Sequence, residues 1–200
     1  MRVKLKNKKG FTLIEVTITV AILGMIVVLL GDMYVDGTIS AEKEMRKSKL
    51  QVEAKNVLEG IDNNVKLSAK VDASYTTGSN AVYTGSATTL ILDIPAIDSS
   101  NNFIYSGSQN IYDHIIYYLD PANTNNLHKL VFSDDPSSRL YSQNGSDQII
   151  LNDVQSLAFT YDASPPSSAI VDTNLTLYNT GQGNTQTVNV SAEAKRRNSE

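Results

Sequence analysis

From Phe11 to Leu30 the chain sets twenty residues in a row with a single charge, Glu15. At about 1.5 Å of rise per residue, that run makes a helix of roughly 30 Å, the thickness of a bilayer's hydrocarbon core. Leu, Ile, Val and Ala dominate it, with Gly24 and the threonines Thr12, Thr17 and Thr19. A threonine hydroxyl bonds back to a carbonyl of the preceding turn, so these polar groups need no water. Ahead of the run, residues 2–9 carry Arg2, Lys4, Lys6, Lys8 and Lys9, five of the chain's 17 basic residues, and no acid. A basic flank of this kind stays in the cytoplasm, which sends the C-terminal bulk of the chain outside.

Glu15 is the anomaly in the run. A carboxylate inside a bilayer costs ~3 kcal/mol on insertion scales, so such an acid ordinarily has a partner. No Lys, Arg or His stands between residues 10 and 42 to supply one. Two readings stay open. One partner is an α-amino group freed by a cut between Gly10 and Phe11, on the same chain or on a neighbour. The other reading is a lone Glu near the interface that reaches the headgroups or stays protonated.

The string Lys8-Lys9-Gly10-Phe11-Thr12-Leu13-Ile14-Glu15-Val16 resembles the class III signal of type IV pilins and type II secretion pseudopilins. The resemblance implies cleavage after Gly10 by prepilin peptidase, a membrane aspartyl protease, and N-methylation of Phe11. It makes Lys8 and Lys9 part of the basic leader. It makes Glu15 the fifth mature residue, which in that family meets the N-terminal amine of an adjacent subunit and sets register in assembly. The partners it implies are prepilin peptidase, other pilins or pseudopilins in a filament, an inner-membrane assembly platform and membrane lipid. Nucleic acid is at most an indirect partner. An ordinary secretory signal fits less well. The apolar run is long for one, Glu15 falls inside it, and the nearest small-residue site, Thr38-Ile39-Ser40-Ala41, is poor and distant.

Past the apolar run, Gly31 and Gly37 each weaken a helix by about 1 kcal/mol relative to Ala, and a bend or fray is expected near residues 31–38. From Ser40 the pattern is helical again. Leu50, Ala54, Val57, Leu58, Ile61 and Val65 recur at three- and four-residue steps and line one face. The other face is charged, with Glu42 placed for Arg46 and Lys49 for Glu53 at i,i+4. Residues 11 to about 70 therefore read as one long helix.

Residues 72–89, rich in Ser, Thr, Gly, Asn and Ala, read as a connection with one short strand at Ala81–Tyr83. Short β-type runs follow, divided by turn clusters. They are Thr89–Ile94 before Pro95, His114–Leu119, Leu127–Ser133, Arg139–Ser142 and Gln148–Leu151 about the hairpin signal Asn144-Gly145, and Val154–Tyr161. Turns are expected at 98–102 and at Gly181 to Asn184. Val171, Leu175 and Leu177 alternate, as do Val188, Val190, Ala192 and Ala194. An antiparallel sheet with one buried face, covered by one amphipathic helix, satisfies the pattern. The expected class is α+β: a long N-terminal helix, transmembrane in its first half, packed by its second half on an antiparallel β-sheet head. The parts are a leader (1–10), a transmembrane or filament-core helix (11–31), an amphipathic helix half (32–71) and the head (72–200).

This architecture resembles the pilin family as well. The runs Ile115–Leu119, Leu127–Leu130, Ile150–Tyr161 and Val190–Asn198 resemble J-type minor pseudopilins and minor pilins with a W-type head. Two features depart from the major subunits. The chain has no Cys for the disulfide that closes the C-terminal loop of many major pilins. Nor does it carry a matched calcium loop of the major pseudopilin kind.

Composition narrows the chemistry of the head. Without Cys there is no disulfide scaffold, thiolate metal site or Cys nucleophile. The formal charge is −4, and without its leader the chain keeps twelve basic against 21 acidic residues, which argues against a binder that relies on overall positive charge. His114 and His128 sit at strand edges without metal-ligand spacing. Asp134, Asp135 and Asp147 are oxygen donors of the type calcium takes, and read more simply as turn residues. Gly181 and Gly183 suit a hairpin, and Lys195-Arg196-Arg197 is a short basic end. No nucleophile elbow or Walker motif is present. We expect no catalysis, no cofactor and no metal. The expected function is a structural minor pilin or pseudopilin of a pilus, type II secretion or DNA-uptake filament, in the inner membrane with its head outside. The alternative is a tethered or secreted binding module whose β head recognises a ligand.

Overall fold

The computed structural model describes residues 10–78, 81–97, 102–106, 109–120, 122–123, 125–133, 145–181 and 184–197. The fold is α+β, one long helix followed by antiparallel sheets. The chain divides into two compact units, residues 1–45 and 46–200.

Helix α1 runs from Leu13 to Leu67, 55 residues. It passes through Gly31 and Gly37 without a break, so the fray expected at 31–38 is absent. Two glycine penalties of about 1 kcal/mol do not stop a helix whose hydrogen-bond ladder continues for turns on both sides. In the first unit, residues 11–30 are exposed throughout. In the second unit, Leu50, Ala54, Leu58, Ile61 and Val65 are buried at the expected steps, with Val57 packed beside them. On the charged face Lys49–Glu53 and Lys55–Glu59 pair, each at 3.7 Å. The helix ends where Ser68 Oγ bonds the Val65 carbonyl at 2.7 Å and Ala69 N–H moves to the Asp93 carbonyl at 2.7 Å.

That handover starts the head. Strands β1 (Lys70–Val71), β2 (Ser74–Thr76), β3 (Val82–Thr84) and β4 (Thr89–Pro95) follow in order. Next come the two-residue strands β5 (Tyr105–Ser106) and β6 (Gln109–Asn110), then β7 (Tyr112–Leu119) and β8 (Leu127–Ser133). The last are β9 (Ser146–Leu151), β10 (Val154–Tyr161), β11 (Ile170–Gly181) and β12 (Asn184–Lys195). The strands expected at 89–94, 114–119, 127–133, 148–151 and 154–161 are all present. Arg139–Ser142 and Asn144, Asp134 and Asp135, residues 1–9 of the leader, and most of the turn at 98–102 lie outside the described residues. The strand at 148–151 pairs with β8, and Gly145, whose φ is 73°, donates its N–H to the Val131 carbonyl at 2.7 Å; the hairpin expected between 139–142 and 148–151 falls largely outside the described residues.

Two features differ from the single sheet with one buried face. The strands divide into a five-stranded sheet, β1-β4-β7-β8-β9, and a three-stranded sheet, β10-β11-β12. Between them sits Asp153 at φ 59°, a left-handed corner whose carbonyl accepts the Tyr178 N–H at 2.9 Å. The five-stranded sheet is also buried on both faces at β4 and β7. Leu90, Leu92, Ile115 and Tyr117 join the main core with α1 and the inner residues Leu157, Phe159, Val171, Leu175, Leu177 and Val188 of the second sheet. On the opposite face Ile91, Ile116 and Leu130 pack with Tyr75, Tyr83, Tyr118 and Phe132. Tyr75 and Tyr83 come from the β2–β3 hairpin, where they face each other in register.

Two substitutions separate the buried face from the exposed one. Phe159→Ala removes a ring that is 2% exposed and is expected to cost about 3–5 kcal/mol. Val52→Ala, on a helix position 55% exposed, is expected to stay within about 0.5 kcal/mol. Urea unfolding of the full chain in detergent, followed by tyrosine fluorescence, measures both.

Candidate functional site

The residues singled out by the N-terminal pattern meet where α1 begins. Gly10 and Phe11 are non-helical and exposed, Phe11 at 88%. Thr12 is the N-cap. Its backbone N–H and its hydroxyl both donate to Glu15 Oε2, each at 2.9 Å. In return, the Glu15 N–H donates to Thr12 Oγ1 at 3.3 Å. This is a capping box, in which a Thr at the cap and a Glu three residues on satisfy each other's orphan donors. The negative side chain also lies against the positive end of the helix dipole. The spacing Thr-x-x-Glu is the sequence signature of this box, which the expectation of a counter-charge for Glu15 did not include; it supplies hydrogen-bond donors and leaves the charge in place. Lys8 and Lys9 lie outside the described residues.

Above the cap, Thr17 Oγ1 donates to the Leu13 and Ile14 carbonyls at 3.0 Å, and Thr19 Oγ1 to the Glu15 carbonyl at 2.7 Å. These are the back-bonds expected of threonines in an apolar helix. The helix is long and apolar enough to cross a membrane, and none of its most apolar window is buried within the chain.

The head's two histidines each find a carboxylate. His114, on β7, is buried, stacks on Tyr75 at 4.1 Å between ring centroids, and sets Nδ1 2.7 Å from Asp93 Oδ1. Lys70 Nζ lies 3.0 Å from Asp93 Oδ2 and 3.0 Å from Asp72 Oδ2. Burial opposes ionisation of Asp93, but the bonds and charges of His114 and Lys70 outweigh it and hold its carboxyl below the ordinary value. His128 Nδ1 is 2.8 Å from Asp147 Oδ1, and the Tyr118 hydroxyl donates to Asp147 Oδ2 at 2.7 Å. Burial, then that bond to Asp147, pushes the Tyr118 hydroxyl well above its usual range. Asp147 is thus occupied by its neighbours. Among the described residues no three His, Asp or Glu side chains gather as a metal site. The sequence did not show these pairs, because each joins residues on different strands.

Residues 5–31 match a family model described as a prokaryotic N-terminal methylation motif. That match supports a type IV pilin-like, prepilin-processed amino terminus, and with the apolar helix it fits single-pass anchoring in the inner membrane. Comparison with curated proteins and with solved structures returned no match.

Asp93→Asn tests the buried cluster. The folded carboxyl titrates below its ordinary 3.8, so its stabilisation is complete above that value and is lost as pH falls through the folded one. The variant is expected to unfold about 3 kcal/mol more easily at neutral pH, with the deficit shrinking below about pH 4. Urea midpoints at the two pH values measure it.

Proposed function

We propose that this chain is a minor pilin or pseudopilin, a structural subunit processed between Gly10 and Phe11 by prepilin peptidase and N-methylated at Phe11. The observation that carries the reading is a coincidence of position. Residues 13–31 of the methylation motif form the start of α1, and they are exposed throughout among the described residues. Such a surface is stable in lipid or against other helices of its kind, and unstable in water. The basic leader holds the N-terminus in the cytoplasm, and the head lies outside the inner membrane. In the filament, apolar helices pack on one another and draw in the assembly platform as partner. Within that family we assign the head to the J-type or W-type minor subunits, on the resemblance of the runs Ile115–Leu119, Leu127–Leu130 and Ile150–Tyr161.

Glu15 then has two successive partners. Before assembly the capping box occupies it. After the cut at Gly10, the Phe11 amine of an adjacent subunit presents a full positive charge. A buried carboxylate left without a counter-charge is disfavoured, so subunits seat where that amine meets Glu15.

Mass spectrometry of the mature protein is expected to find N-methyl-Phe11 at its start. An intact Met1, or a start near residue 41, would instead indicate a tether or a cleaved secretory signal. Glu15→Leu is expected to leave membrane insertion intact and to lower incorporation into filaments about tenfold, equivalent to ~1.4 kcal/mol per seated subunit. Immunoblots of membrane and sheared-filament fractions read both.

A further inference from the structure

An open sheet edge exposes a row of unpaired N–H and C=O groups, and proteins ordinarily shorten, bend or charge such edges. Two edges of this head follow that practice. β9 has six residues, meets β8 through a register irregularity and carries Asp147. β10 has a register shift between Val154 and Ser156. β12 does neither. It runs twelve residues in unbroken register with β11, from Gly181↔Asn184 to Ile170↔Lys195. It contains no Pro, and no charge from Asn184 to Ala192.

The register tells which groups face outward. Gly181 and Asn184 pair across a two-residue connection, so they exchange ladder bonds, and so does every second pair beyond them. The even-numbered residues of β12 bond to β11. Thr187, Asn189, Ser191 and Glu193 turn N–H and C=O to the free edge, and all four are exposed. Among the described residues no backbone hydrogen bond from outside the sheet reaches them.

Beside that edge a groove of about 470 Å³ runs between β12 and the second-unit part of α1. Leu58, Val190 and Ala192 supply its apolar lining. Lys55 is paired with Glu59 at 3.7 Å and Lys66 with Asp62 at 2.5 Å, which leaves Glu193, on the face of β12 opposite Val190 and Ala192, as the excess negative charge beside the groove.

We propose that β12 is a receptor edge for an extended segment of a partner polypeptide, which adds to the three-stranded sheet as a fourth strand. Its alternate apolar side chains enter the groove over Leu58, Val190 and Ala192. On the other face a basic side chain sits across from Glu193. Backbone bonding supplies the affinity, and the groove and Glu193 supply the selectivity. The edge lies wholly in the head, so this proposal does not rest on processing at Gly10.

The test uses isotope-labelled full-length protein in detergent micelles. The probe is an end-capped synthetic peptide of about eight residues that alternates Val and Thr, with one Lys in place of a central Thr. Saturable binding is expected at or below about 1 mM, with the largest amide shifts at Asn189, Ser191 and Glu193. A Glu in place of the peptide's Lys is expected to weaken binding about threefold, and Glu193→Gln to erase that preference. Ser191→Pro removes one outward N–H and no ladder bond, so it is expected to keep the far-UV circular dichroism and to weaken binding about tenfold. The proposal is overturned by absence of saturation at about 1 mM, by shifts centred on β9 or β10, or by parent-like binding in Ser191→Pro. Dimerisation without peptide that Ser191→Pro abolishes would assign the edge to a second copy and overturn it equally. If Ser191→Pro unfolds, Glu193→Gln and the peptide charge swap still decide. None of these outcomes depends on whether the mature N-terminus is Phe11.

Discussion

One stripe of side chains, Leu50, Ala54, Leu58, Ile61 and Val65, holds the head together. Neither sheet is closed into a barrel, and each has an inner apolar face to keep from water. The stripe is what both faces share: residues from β4, β7, β8 and β9 and from β10, β11 and β12 join it in one continuous core. Asn64 adds a polar tie, donating from Nδ2 to the Tyr117 hydroxyl at 2.6 Å. The same helix carries a second apolar surface, residues 13–30, which finds no partner among the described residues. A single periodic element thus serves two solvents. Over its second half the apolar residues keep to a stripe, and over its first half they go all round.

How much of this was legible follows from the range of the interactions. Period and punctuation are local, so the helix and the strands at 89–94, 127–133 and 154–161 could be read directly. The N-terminal segment was legible for the same reason, since Gly10, Phe11 and Glu15 stand within six consecutive residues. The capping box is equally local, since Thr12 and Glu15 stand three residues apart, but it gives Glu15 hydrogen-bond donors and not the counter-charge that a carboxylate in a membrane calls for. Long-range pairing was not legible. Nothing in Tyr75 or Tyr83 alone says that their hairpin covers Ile91 and Ile116, although the unbroken run Ile115-Ile116-Tyr117-Tyr118 is the pattern of a strand buried on both sides. The division into two sheets turns on Asp153, a residue that reads as an ordinary loop aspartate until its φ is known.

The outer layer also explains why polar groups sit so deep in the head. Asp93 and His114 lie on the same side of the five-stranded sheet as Ile91 and Ile116, under Tyr75. A carboxylate there is tolerable only because His114 and Lys70 both reach it. Lys70 belongs to β1, the two-residue strand that follows the helix directly, and it bonds Asp93 from the position opposite it in register. The exit of the helix and the charge balance of the sheet are therefore one arrangement. Arg196 serves the far end of the chain in a similar way, donating from its guanidinium to the Ala69 carbonyl.

Covering β4 and β7 on both faces has a consequence for how the head breathes. β7 is flanked by β4 and β8 along its length, β4 is flanked by β7 on one side and by the two-residue β1 on the other, and both are sealed above and below by side chains. Their amides meet solvent only when an entire layer lifts, whereas those on the outward side of β12 need no opening at all. Amide exchange in the head is therefore expected to follow an order, with the outward side of β12 first and β4 and β7 last. The most protected element is then not the helix that gives the chain its length but the pair of strands that share its core.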